Sequence, residues 1–155
     1  MDNTNLNNGF KLFVKKAFPL KFFPHILFLL FINYLKDFYE LKSGIPRNKK
    51  IFANTNNLKG RPDGAAVDAN GFYWVAGVEG SELYRFNKNG KIDTIINLPV
   101  EKPTKLVFGG KNFDIIYITS IGQGFNKNDK SELNGFTLEI SNHTFKGFAL
   151  KEYEL

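Results

Sequence analysis

The residue best placed to do chemistry is Asp63, in the run Gly60-Arg61-Pro62-Asp63-Gly64. A carboxylate held by a tight local structure can bind a cation or handle a proton. It can also serve the backbone alone. In Pro-Asp-Gly, Pro fixes φ, Asp bonds its own backbone and Gly accepts φ > 0, which is ordinary turn chemistry. Asp68, ahead of Ala69-Asn70-Gly71, reads as a turn-opening residue for the same reason. Other templates find less support. No Gly-x-Ser-x-Gly elbow occurs. Ser120 and His143 could be named for a triad, but nothing in the sequence positions them, and Ser141-Asn142-His143-Thr144 reads as a hairpin turn. Gly77-Val78-Glu79-Gly80 is too short for a phosphate-binding loop and lacks its Lys. With no Cys, there is neither a thiol nucleophile nor a disulfide framework. His25 has no second ligand at metal spacing. Tyr73 and Trp74 read as packing residues rather than a sugar platform.

The elements that must position Asp63 are short strands. Phe38–Leu41 and Lys50–Ala53, with a turn at Lys42-Ser43-Gly44, read as a hairpin. Ala65–Asp68, Phe72–Ala76, Glu82–Asn87 and Lys91–Asn97 follow, separated by Ala69-Asn70-Gly71, Glu79-Gly80-Ser81 and Lys88-Asn89-Gly90. Asn-Gly supplies the positive φ that tight hairpin turns require. Four short antiparallel strands in about 40 residues form the unit of a propeller blade.

A looser copy follows. Lys102-Pro103-Thr104 stands where Arg61-Pro62-Asp63 stood, and the two prolines are 41 residues apart. Leu106-Val107-Phe108, Ile115–Ile118 and Gly135–Ile140 repeat the later strands. Gly122–Asn134 reads as a variable polar loop. That period suits propeller repeats of roughly 40–50 residues. Short strands at regular spacing also suit a β-sandwich, and the internal repeat favours the propeller.

These pieces, in their order and spacing, resemble the gluconolactonase/regucalcin (senescence marker protein) family. The resemblance runs over roughly residues 38–155 and rests on Phe38–Gly44, Lys50–Ala53, Arg61-Pro62-Asp63-Gly64, Trp74-Val75-Ala76, Leu83–Phe86, Leu98-Pro99-Val100, Lys102–Gly110 and Ile116–Ser120. It implies an all-β fold: about two C-terminal blades of a six-bladed β-propeller. It implies a sugar-lactone hydrolase in which a divalent cation, typically Ca²⁺, polarises the lactone carbonyl while a nearby carboxylate helps activate water. Asp63 would be the metal ligand and catalytic carboxylate that carries over. The family's partner Glu and Asn belong to blades without a counterpart in this chain. Ca²⁺ takes 6–8 oxygens, so weak or no activity is expected of the chain by itself. The rival reading is a non-catalytic partial propeller that acts as an interaction or membrane-associated protein, and open blade edges would also favour self-association.

Residues 1–36 look different from residues 37–155, and a boundary is expected between them. The chain has 155 residues and a net charge of +6. Residues 1–50 hold nine Lys/Arg and three Asp/Glu, while residues 51–155 hold twelve of each, so the excess is confined to the N-terminal third. No basic stripe with interleaved aromatics remains, which argues against nucleic acid. Residues 1–9 are polar and Asn-rich, and disorder is expected there. Beyond them Lys11, Lys15, Lys16 and Lys21 precede the apolar run Ile26–Ile32. Seven apolar residues fall short of the roughly 20 a membrane-spanning helix needs. Three readings stand: a short apolar helix packed on the fold, a membrane-surface anchor over residues 17–35, or a shifted reading frame ahead of a truncated gene. A cytoplasmic location is the expectation.

Overall fold

The structure is a computed structural model that describes residues 3–5, 11–15, 35–42, 45–122 and 131–149. The described residues form β-strands and connecting turns, all paired antiparallel. β1 (Asn3–Asn5) and β2 (Lys11–Lys15) come first, followed by a hairpin of β3 (Leu35–Lys42) and β4 (Ile45–Asn54). The expected hairpin is therefore present, with longer strands than the sequence suggested. β5 (Arg61–Val67), β6 (Tyr73–Val78), β7 (Glu82–Phe86) and β8 (Ile92–Asn97) make a four-stranded meander in chain order. β9 (Pro103–Gly109), β10 (Ile115–Ser120) and β11 (Thr137–Ser141) repeat its first three strands, as the sequence repeat predicts.

The fourth position of that second sheet is filled from the other end of the chain. β2 pairs with β11, from Thr137↔Lys15 to Ser141↔Lys11, and β1 pairs with β2. The disorder expected for residues 1–9 is thus corrected at Asn3–Asn5, which forms a strand. Antiparallel pairing supplies partners for backbone groups that composition alone leaves unsatisfied. The apolar helix and the membrane contact expected over residues 17–35 fall largely outside the described residues. Among the described residues no helix is long and apolar enough to cross a membrane.

Alternation explains the core. Leu106 and Phe108 on β9, Ile116 and Ile118 on β10, and Leu138 and Ile140 on β11 are buried on one face. They meet Trp74, Ala76, Leu83 and Ile96 from the first sheet and Leu98 just after β8. The first sheet's opposite face carries Val75, Tyr84 and Phe86, which pack with Ala53 and Phe52 of β4. Phe52 meets Tyr73 edge-on at 5.8 Å and Phe86 at 6.3 Å. The β5–β8 sheet is therefore covered on both faces, which is why all five residues of β7 are buried. Each fully buried side chain of Leu or Ile size contributes about 1.5–3 kcal/mol relative to exposure.

Candidate functional site

Pro62, Asp63 and Gly64 lie inside β5 rather than in a turn ahead of it. The pairing with β6 passes from Pro62↔Gly77 to Ala65↔Val75, so Asp63 and Gly64 together stand opposite Ala76. This two-against-one arrangement is a β-bulge, which bends a strand and re-aims a side chain. The turn reading of Pro-Asp-Gly is corrected accordingly. Gly64 is also not there for positive φ, which among the described glycines is adopted at Gly71, Gly90, Gly110 and Gly135. It is there for proximity. A Cβ on Gly64 would lie 2.5 Å from Cδ of Lys105 and 2.6 Å from the carbonyl oxygen of Thr104. Gly64 thus lets β5 and β9 touch.

Asp63 is half-buried at this contact. Its counterpart in the second sheet, Thr104, shares a 2.8 Å hydrogen bond between hydroxyls with Thr119 on the next strand. Across from Asp63 the small apolar Ala76 offers no side-chain partner. The motif's Arg61 donates from Nε to Glu79 at 3.1 Å, an exposed pair at the strand's start. Lys105 reaches over from β9 and donates from Nζ to the Ala65 carbonyl at 2.6 Å. Burial pushes the Lys105 ammonium down from its ordinary range, and the negative charge of Asp63 partly offsets this. Beside them Val67, Leu106, Val107, Phe108 and Phe148 line a largely apolar cavity of about 230 Å³.

The divalent cation expected from the resemblance finds no complete site in these residues. Among the described residues no three His, Cys, Asp or Glu side chains converge. One carboxylate is far short of the 6–8 oxygens that Ca²⁺ takes.

The second carboxylate, Asp68, does more than open a turn. Its Oδ1 accepts from the backbone N–H of Asn70 at 2.9 Å and of Phe72 at 3.0 Å, the expected turn bonding. Its Oδ2 accepts from the Trp74 indole at 3.0 Å and from Arg85 Nε and Nη2 at 2.9 and 2.7 Å. The Arg85 guanidinium lies 3.8 Å from the Phe72 ring centre and also bonds Asp93. Burial opposes ionisation of Asp68, but the bonds from Trp74, Phe72 and Arg85 outweigh it and hold the carboxyl below its usual range. Trp74 is fully buried, as a packing residue should be. Sequence reading missed this cluster. The available signal was an Asp, a Trp and an Arg on neighbouring strands.

Ser120 and His143 do not meet. The Ser120 hydroxyl donates to the Phe136 carbonyl at 2.9 Å and accepts from Gly135 N–H at 3.0 Å. His143 follows β11 in a turn where Asn142 takes positive φ, and its Nε2 lies 3.2 Å from the Ile140 carbonyl. Because β10 and β11 run antiparallel, the two residues sit at opposite ends of the sheet. Burial lowers the His143 pKa.

The fold and the sequence both have known counterparts. The chain is 29% identical to regucalcin of Danio rerio over 155 residues, covering 98% of this chain and 51% of the relative. It is 44% identical to 6-deoxy-6-sulfogluconolactonase of Pseudomonas putida over 61 residues, covering 39% of this chain and 21% of the relative. The solved structure of a calcium-binding regucalcin from Agrobacterium tumefaciens superimposes with a TM-score of 0.66 at 22% identity, over 78% of this chain and 42% of that one. The chain spans about half or less of the length of these relatives. The family model for the SMP-30/Gluconolactonase/LRE-like region matches residues 36–122, and the chain belongs to that family.

Proposed function

We propose that residues 37–155 are C-terminal blades of a six-bladed lactonase propeller, and that Asp63 is the carboxylate they contribute to its catalytic centre. The observation that carries this reading is the bulge: within the family-matched residues, β5 breaks its pairing with β6 at Asp63. Such bulges gather beside active sites because they re-aim one side chain. The substrate class is a sugar lactone, a cyclic ester. Hydrolysis adds water to the carbonyl carbon and breaks the bond to the ring oxygen, which leaves as a hydroxyl. Asp63 would accept the proton that the attacking water loses. In the family reading a divalent cation, most simply Ca²⁺, polarises that carbonyl, and its remaining ligands would come from outside the described residues.

Hydrolysis of glucono-δ-lactone, followed by acid release with Ca²⁺ and with chelator, tests the proposal. The chain by itself is expected to be weakly active at most. Whatever activity it has should fall at least about 100-fold in Asp63→Ala, on the scale of losing a general base. Activity indifferent to Asp63 would sink the proposal. The exposed Val67, Val107 and Phe148 beside the cavity favour a second reading, in which this face docks on a partner without catalysis. Stable, metal-independent capture of a partner by a chain with no lactonase activity would support it.

A further inference from the structure

We infer that the cavity between β5 and β9 is a binding site for a small organic acid, one carboxylate on an apolar body of about six to nine carbons. Its walls are held in place from several directions. β5 contributes Ala65 and Val67, β9 contributes Lys105, Leu106 and Val107, and Phe148 comes from the chain beyond β11. The two strands touch at Gly64, where a Cβ would lie 2.6 Å from the Thr104 carbonyl oxygen, and Lys105 Nζ ties them with a 2.6 Å bond to the Ala65 carbonyl. Leu106 is part of the main core. Two backbone bonds fix the segment that leads to Phe148. Ala69 N–H donates to the Lys146 carbonyl at 2.7 Å, and Gly147 N–H donates to the Phe113 carbonyl at 2.8 Å.

Size and lining select the occupant. The cavity holds about 230 Å³. One turn of a helix, about 5 Å tall and 10 Å across, exceeds that volume, so a small molecule fits where a helix does not. An apolar cavity of about 150 Å³ accepts benzene, and the larger one here takes a ring or chain of somewhat greater size. Val67, Val107 and Phe148 are nearly half exposed, and covering that apolar surface favours a carbon body. Lys105 selects the head group. Among the described residues that line the cavity it is the one charged side chain, and it is half-buried. An anion beside it is attracted through less water than at an open surface. Asp63 stands two residues before Ala65 on β5, outside this lining. A neutral ligand would satisfy the apolar walls alone, whereas a carboxylate on the same body also meets the cation.

The test titrates the full chain with octanoate and, separately, with octan-1-ol, read by calorimetry and by saturation-transfer nuclear magnetic resonance. Octanoate should bind saturably and about tenfold tighter than octanol. Lys105→Met keeps the apolar stem and removes the charge. It should weaken octanoate about tenfold and leave octanol unchanged, which abolishes the preference. Val107→Glu, at an exposed position, should weaken octanoate at least as much by setting a second carboxylate against it. If Lys105→Met fails to fold by circular dichroism, Val107→Glu decides alone. Absence of saturable octanoate binding up to about 10 mM would overturn the inference. Octanol bound as tightly as octanoate would do the same, as would octanoate binding that ignores both substitutions. A chain that binds no octanoate and sediments as a dimer, broken by Val107→Glu, would reassign the face to pairing between copies. None of these readouts involves lactone hydrolysis, so failure here is distinct from failure of the proposed function.

Discussion

Arg85 and Asp68 form a buried ion pair in which two guanidinium nitrogens converge on one carboxylate oxygen, at 2.9 and 2.7 Å. The pair joins β7 to the turn that follows β5, and the Trp74 indole closes it from β6. Both charges are nearly removed from water, with side-chain exposures of 8% and 1%. Removing one partner strands the other. Arg85→Met and Asp68→Asn are each expected to cost about 3–5 kcal/mol, read from urea unfolding. Arg85→Met/Asp68→Leu should recover part of that loss, because a paired apolar replacement leaves no fully buried charge unpaired, and Asp93, which also loses Arg85, is partly exposed. A loss below about 1 kcal/mol for Arg85→Met would show the pair to be dispensable.

The same pair sets the response to acid. Burial disfavours the Asp68 carboxylate, yet the hydrogen bonds from Trp74, Phe72 and Arg85, together with the Arg85 charge, leave its pKa lowered. A lowered folded-state value means the stabilisation is fully present above the unfolded value of about 3.9 and is lost as pH falls through the folded one. Asp93, held low by Thr94 and Arg85, acts in the same direction. Stability should therefore stay level between about pH 7 and 5 on account of these groups, and fall below about pH 4. In Asp68→Asn that fall should be shallower, as measured by urea midpoints across the acid range. An unchanged slope would mean that other carboxylates govern acid unfolding.

Much of this architecture is legible in the sequence, and the parts that are not share a cause. The 41-residue spacing of Pro62 and Pro103 marks β5 and β9 as equivalents, and Asn70-Gly71 and Asn89-Gly90 mark hairpin turns where Gly71 and Gly90 do adopt positive φ. These signals are local. The pairing of β2 with β11 joins opposite ends of the chain, and no local pattern in Lys11–Lys15 announces its partner. Gly64 is instructive for the same reason. Its sequence neighbours suggest a turn, but what requires glycine is Lys105, brought up by a different strand. The Asp63 carboxylate could be singled out by resemblance, whereas the approach of Lys105 to Gly64 could not.

Tyr84 links the core to the close crossing of Gly60 over Gly77. Its hydroxyl accepts from Gly60 N–H at 2.9 Å, and a Cβ on Gly77 would lie only 2.4 Å from Cε2 of its ring. Burial pushes its pKa up to about 12, and burial raises Tyr73 to about 12 as well. A raised folded-state value gives stability that is complete below the unfolded value of about 10 and is lost as pH climbs through the folded one. The protein should accordingly unfold between about pH 10 and 12, with phenolate absorbance appearing together with loss of near-ultraviolet circular dichroism. Tyr84→Phe should cost about 1–3 kcal/mol at neutral pH, by leaving Gly60 N–H without its acceptor, and should blunt the alkaline transition. Phenolate absorbance that precedes unfolding would show the hydroxyls to be accessible in the folded state.

Gly64→Ala tests the contact between β5 and β9. The new methyl would meet the Thr104 carbonyl oxygen at 2.6 Å and the Lys105 Cα at 2.9 Å, both backbone atoms that cannot swing aside. β5 and β9 must then separate, at an expected cost of about 1–3 kcal/mol, the usual range for overpacking a tight site. The amides of Ala65 and Leu106 should exchange faster with solvent, while those of Leu83 and Tyr84 on β7 should keep their protection. A neutral or stabilising Gly64→Ala would mean that the two strands do not touch in solution.

The last expectation concerns the sheet edge that β2 covers. β2 lies along the whole of β11, and Val14 and Leu12 stand opposite Leu138 and Ile140. Leu138 and Ile140 are fully buried and form part of the main core. Without β2 the backbone of β11 would present unpaired N–H and C=O groups, and an open strand edge of this kind templates pairing with other chains. Deleting residues 1–15 should therefore raise hydrogen exchange in β11 while β5–β8 stay protected. It should also convert the protein to concentration-dependent oligomers in light scattering. If the shortened chain stays monomeric, with β11 as well protected as before, then β2 is not the strand that holds that edge.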